Sequence, residues 1–181
     1  MGMSISVVGY LAAIVLAWIT TKAPTFGNLV ARRNFADLDH LFFRTLWQAM
    51  GFLLFGSALA MLVALWMNVH LPRLADRIVS PAAFALLLVG TLGSVLVQAL
   101  AIYLRSFKRE PFLYQSIAIA ALTLLSCQLT ATRLGSMGVA ASYLLSTGVV
   151  GVISGWWIFT SARHSFQLSG PHHSPDYGQQ P

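Results

Sequence analysis

The chain has 181 residues, of which 57% are apolar and 9% charged, against about a quarter charged in an ordinary soluble domain. So few charges cannot cover a soluble fold of this size, and the apolar residues run in long blocks, so composition excludes a soluble globular domain and points to the membrane. The net charge of +6 lies in short gaps between those blocks, as membrane proteins place it. A nucleic-acid binder carries such charge on one face of a folded domain, so nucleic acid is not an expected partner.

Five blocks are long enough to cross a ~30 Å hydrocarbon core at ~1.5 Å per residue. They cover residues 4–21, 46–69, 79–104, 112–131 and 138–160. The predicted fold is all-α: a polytopic transmembrane helix bundle over 1–168, followed by a disordered tail over 169–181. The first block lacks the positively charged start of a secretory signal peptide, and Lys22 follows it, so it reads as a retained span. After it, Asn34 can cap a helix with Asp37 at the third helical position. Phe35, Leu38, Leu41 and Phe42 then share a face, which predicts a short amphipathic helix over 35–45 on the inner surface, running into span two. The last dozen residues are rich in Pro, His, Ser and Gln and cannot bury a core.

The gaps set the expected orientation. Lys22, Arg32, Arg33, Arg44, Arg105, Lys108, Arg109 and Arg163 fall on one side, and Arg73, Arg77 and Arg133 on the other. Eight against three predicts the N-terminus outside and the C-terminus in the cytoplasm. Trp18, Trp47, Trp66, Trp156 and Trp157 all fall near span ends, where indole rings prefer the interface.

Every Asp and Glu (Asp37, Asp39, Asp76, Glu110 and Asp176) lies outside the blocks, and no Lys, Arg or His reaches a block centre. Ionisable residues mark proton relays and ion-coupling sites in membranes because they are costly there. Their absence predicts no carboxylate-based coupling site. The one cysteine, Cys127, excludes an intramolecular disulfide and a cysteine-built metal site. With no paired carboxylates, no metal-ligand cluster and no nucleophile beside a His, the expectation is no enzyme, no metal and no cofactor.

Milder polar groups do occur within the blocks: Gln48, Gln98, Gln115, Gln128, Ser94, Ser116, Thr123, Ser142 and Ser154. Such groups hydrogen-bond across helices or line a wet cavity; by depth, Gln98 and Thr123 come first as cavity-lining candidates. Small residues form stripes for close helix packing: Gly56, Ala60 and Ala64 on span two, Gly90, Gly93 and Ser94 on span three, and Gly148, Gly151 and Gly155 on span five.

The gap sequences carry a resemblance. Residues 21–46 read TKAPTFGNLVARRNFADLDHLFFRTL, 103–118 read YLRSFKREPFLYQSIA, and 134–150 read LGSMGVAASYLLSTGVV. Together they resemble the polysaccharide flippases of the multidrug/oligosaccharidyl-lipid/polysaccharide exporter superfamily, which move lipid-linked sugars across bacterial inner membranes. Those proteins have a Pro-Phe-Gly-like stretch after a span, an amphipathic segment with an acidic-Leu pattern, a "YLR...K.EP" junction before the last two spans, and a Gly-x-x-Gly stretch opening the final one. The resemblance implies a transport protein of the inner (cytoplasmic) membrane and a lipid-linked oligosaccharide as substrate. Arg32, Arg33, Arg105, Lys108 and Arg109 would line the inner rim where the pyrophosphate arrives, Arg by paired hydrogen bonds and Lys as a point charge. The competing reading makes these cations topology anchors beside anionic lipid heads, each worth about 1 kcal/mol.

Family members typically have twelve spans in two bundles of six, and the five blocks would match the eighth to the twelfth. The resemblance therefore implies a C-terminal part that is incomplete alone. It would work with a complementary transporter half or other polysaccharide-export proteins, because alternating access rocks one repeat against another. The alternative function is a small accessory or scaffold membrane protein without transport activity.

Overall fold

The structure, a computed structural model, describes residues 2–70, 80–106 and 112–168. Arg73, Arg77, Lys108, Arg109 and the 169–181 tail lie outside the described residues. Within them every element is helical: α1 (Gly2–Thr20), α2 (Ala23–Ala31), α3 (Phe35–His70), α4 (Pro81–Arg105), α5 (Phe112–Tyr143), a π-helical stretch (Leu144–Val150) and α6 (Gly151–Leu168). Five helical segments are long and apolar enough to cross a membrane: Met3–Ala31, Phe35–His70, Pro81–Arg105, Phe112–Ala131 and Gly135–Ser161. The chain is a multi-pass, all-α membrane protein. Helices are the solution that satisfies every backbone polar group inside an open-ended segment in lipid.

The helix ends follow local chemistry. Pro24 opens α2 and Pro81 opens α4, where a missing N–H costs nothing. Ser80 caps α4, its Oγ accepting from Ala83 N at 3.4 Å. The α2–α3 junction stacks two caps. Arg33 N donates to Val30 O and Asn34 N to Leu29 O, the paired bonds of a Schellman ending with Arg33 in the left-handed region at φ 56°. Asn34 then caps α3: its Oδ1 accepts from Asp37 N at 3.3 Å and its Nδ2 donates to the Asp37 carboxylate. Asn34 is thus the cap that the sequence predicts, with Asp37 as the third helical residue; the second bond joins the two side chains, because the Asn34 backbone N–H is already given to Leu29 O.

The predicted amphipathic helix is not a separate element. Residues 35–45 are the start of α3, one unbroken helix of 36 residues. At ~1.5 Å per residue it is ~54 Å long, well beyond the ~30 Å core, so the amphipathic part prolongs span two. Its buried face is one stripe: Leu38, Phe42, Thr45, Ala49, Leu53, Ser57 and Ala64. Helix α2 is an element that the sequence reading treats as gap.

α4 is the centre of the bundle and packs against every other described element. On one side lie α1 and α3, which also pack on each other; on the other lie α5, the π-helical stretch and α6. The core falls into three layers. Phe26, Leu38, Phe42, Leu100, Tyr103, Leu104, Phe112 and Phe159 form the layer at the basic end, which bears Arg32, Arg33 and Arg105. Val15, Ile19, Ala49, Leu53, Val95 and Ala99 form the middle. Val8, Ala64, Ala83, Phe84, Leu87, Leu88 and Ala140 close the far end. The five tryptophans are all exposed, between 51% and 78%, as interfacial indoles are.

The small stripes meet one another. A Cβ on Gly93 of α4 would lie 2.7 Å from Gly148 Cα in the π-helical stretch, and one on Gly90 would lie 2.8 Å from the Tyr143 ring. A Cβ on Gly56 of α3 would meet the Leu11 side chain of α1 at 2.8 Å. Ala64 is buried in the far-end layer, with Ala60 packed against it. Gly155 leaves room for the Gln115 amide and Val97, each 3.3 Å from its would-be Cβ, whereas Gly151 has ordinary clearance of 3.5 Å. The tightest approach of two backbones is thus Gly93–Gly148, ahead of the Gly151–Gly155 pair. Between Phe112–Ala131 and Gly135–Ser161 the chain reverses at Gly135, whose φ of 57° and ψ of −138° break the helix; a side chain there would be strained.

Candidate functional site

Two polar features run through the apolar bundle. The first is a seam between α5 and the last span. Gln115 Nε2 donates to Gly151 O at 3.0 Å and to Ser154 Oγ at 2.7 Å. Thr123 Oγ1 bonds Ser146 Oγ at 3.0 Å, and Thr130 Oγ1 and Ser142 Oγ are 2.8 Å apart. Most of the hydroxyls also have a carbonyl three or four residues earlier within reach as an alternative acceptor for their single proton, for instance Ile119 O at 2.7 Å from Thr123 Oγ1, so that proton stays satisfied in an apolar setting. The seam crosses the π-helical stretch, where the wider turn disturbs the usual i−4 bonding. Gln115 is 8% exposed, and its Oε1 has no hydrogen-bond partner among the described residues.

The second feature is a groove of about 500 Å³ at the basic end. α1 supplies Leu16 and Thr20, α4 supplies Val97, Gln98, Ala101, Ile102 and Arg105, and α5 supplies Phe112, Leu113 and Ser116. It exists because α1 and α5 flank α4 without packing on each other. Arg105 sits at the mouth, in the last turn of α4. Gln98 lies seven residues deeper, ~10 Å at 1.5 Å per residue. Both are exposed; Gln98 Nε2 donates to Ser94 Oγ at 3.2 Å.

Of the residues singled out from sequence, the groove brings together Gln98 and Arg105. Thr123 is instead in the seam, its hydroxyl shared with Ser146. Arg32 and Arg33 are exposed at the α2–α3 junction, at the same end but outside the groove lining. Among the described residues no group of three or more His, Cys, Asp or Glu side chains is placed to hold a metal.

Sequence reasoning missed the latch that shapes this end. Phe42 packs with ring centroids 6.0 Å from Phe26, 4.7 Å from Tyr103 and 6.5 Å from Phe159, joining α2, α3, α4 and α6. Tyr103 Oη donates to Asp39 Oδ1. Asp39 and Tyr103 come from the two gap stretches quoted above, 64 residues apart. A polar ring tip and a carboxylate at one end of a bundle are a weak signal in sequence, since neither position is unusual alone. No protein family, no characterised protein and no solved structure matches the chain.

Proposed function

We propose that this chain is a membrane transport protein: the C-terminal part of a flippase that translocates lipid-linked oligosaccharide across the bacterial inner membrane. The observation that carries the reading is the groove with Arg105 at its mouth and Gln98 beneath. A diphosphate–sugar headgroup needs a guanidinium for its phosphate charge and amide or hydroxyl groups for its sugar, in that order from the rim. Thr20 and Ser116 add two hydroxyl-bearing positions to the same walls. The resemblance of the gap stretches supports the same substrate class. In this reading the basic end faces the cytoplasm, as the eight-to-three charge distribution predicts. Helices of a complementary half complete the path on the side where α1 and α5 stand apart.

The test is a chromosomal double substitution, Arg105→Gln with Gln98→Leu, in the native host. Surface polysaccharide should fall at least tenfold, with the protein present in the membrane at its normal level. Full export from that double variant would refute the transport role of the groove. The scaffold reading is favoured by one observation: the polar side chains between α5 and the last span are spent on each other, as in a purely structural seam. It predicts that the same double variant exports normally while disruption of the seam does not.

A further inference from the structure

A second groove, about 650 Å³ in volume, lies between α1 and α3. Its walls are Ile14, Val15 and Trp18 of α1 and Gln48, Ala49, Gly51, Phe52 and Phe55 of α3. Its size falls within the ~300–1,000 Å³ of sites that take one small molecule. It is separate from the groove beside Gln98: Ile14 and Trp18 line the one, Leu16 and Thr20 the other, and two residues turn a helix by about 200°.

All the lining is apolar except one amide. Gln48 is exposed, and its side-chain amide makes no hydrogen bond among the described residues. Arg44 stands one turn before it on α3, so the two side chains share a face. Arg44 is likewise exposed, and its guanidinium makes no ion pair or hydrogen bond among the described residues. Side chains on a helix lean toward its N-terminus, so Gln48 reaches up toward Arg44. Along α3 the order from the rim inward is a cation at 44, an amide about 6 Å deeper, then Gly51, Phe52 and Phe55 down to about 16 Å. A phospholipid presents its groups in that order: phosphate, ester carbonyl, acyl chain. Trp18 and Trp47, 56% and 78% exposed, flank the level at which the ester would sit, where indoles prefer to lie.

We propose that this groove binds one anionic phospholipid, with one acyl chain between α1 and α3, its ester region at Gln48 and its phosphate at Arg44. The complementarity is of charge at the rim and of apolar shape below it. Gly51 opens the wall: nothing lies within 4 Å of a Cβ built there, so the gap is left to the ligand. The proposal is independent of the transport reading and holds for a transporter or a scaffold.

The full chain, purified in a neutral detergent and stripped of lipid, would be titrated with phosphatidylglycerol or phosphatidylcholine. Thermal stability and lipid retained in the native mass spectrum are the readouts. Phosphatidylglycerol should raise the melting temperature and stay bound at one copy per chain, and phosphatidylcholine should do so far more weakly. Arg44→Gln should weaken phosphatidylglycerol about fivefold, the loss of about 1 kcal/mol for one cation, and make the remaining binding less sensitive to salt. Gly51→Phe should abolish retention at unchanged helical circular dichroism; if it fails to fold, Gln48→Leu should lower retention with the walls intact. Equal binding of both lipids overturns the proposal. So does full retention by the folded Gly51→Phe variant, or by Gln48→Leu where Gly51→Phe does not fold. A Gly51→Phe change that turns a dimer into a monomer with lipid binding untouched would give the groove to a second copy of the chain, and also overturns it.

Discussion

Replacing Gly93 with alanine tests the packing that joins the two sides of the bundle. The added methyl would sit 2.7 Å from Gly148 Cα, and 3.1 Å from both Gly148 O and Val152 Cγ2. The nearest atom is backbone, held by the π-helical stretch, so it cannot rotate away as the end of a side chain could. Overpacking of this kind costs about 1–3 kcal/mol. Alanine returns up to about 1 kcal/mol of helix propensity, which leaves a net loss of up to about 2 kcal/mol. Gly9→Ala in α1 is the control, because nothing lies within 4 Å of its would-be Cβ; it should be neutral or stabilising by up to about 1 kcal/mol. Unfolding in mixed micelles, followed by far-UV circular dichroism, gives both values on one scale. If Gly93→Ala unfolds at or above the wild-type midpoint, or if Gly9→Ala falls just as far, close approach of α4 to the π-helical stretch does not hold the bundle together.

Gln115→Leu should destabilise the chain by about 1–2 kcal/mol in the same assay, near the upper end for hydrogen bonds between membrane helices, because Gly151 O and Ser154 lose a buried donor together. A wild-type midpoint would show that the seam contributes nothing net. Arg33→Gly should raise stability by about 0.5–1 kcal/mol, since it relieves a left-handed residue at φ 56° that costs ~1–2 kcal/mol in any non-glycine, less the extra freedom of glycine in the unfolded chain; Arg33→Gln, which keeps the strain, should change little. Fusions of alkaline phosphatase and of a fluorescent protein to the C-terminus should give a bright, phosphatase-negative pattern. The reverse pattern would overturn the assignment of the basic end to the cytoplasm.

What sequence alone determines here is whatever depends on a single segment. Hydrocarbon thickness sets a length, and the five apolar blocks become five helical segments long and apolar enough to cross a membrane among the described residues. Caps are equally local: Asn34 and Asp37 lie three residues apart and find each other whatever the rest of the chain does. The apolar face of Phe35, Leu38, Leu41 and Phe42 is readable for the same reason, as is its running into span two; that the buried stripe goes on through Thr45, Ala49 and Leu53 shows only in the unbroken helix. Which stripe meets which is a pairwise and long-range matter. These helices are apolar on nearly every side, so hydrophobicity does not tell a lipid-facing side from a packed one; Trp47, Phe52 and Phe55 face outward as freely as polar residues do in water. Association in lipid then turns on small residues and hydrogen bonds, whose partners lie far along the chain. Gly93 pairs with Gly148, Asp39 with Tyr103 and Gln115 with Ser154. Those pairings send Thr123 into the seam and leave Gln98 with Arg105 beside an open groove. Depth in a span was readable in advance; the direction in which each side chain faces was decided by the bundle.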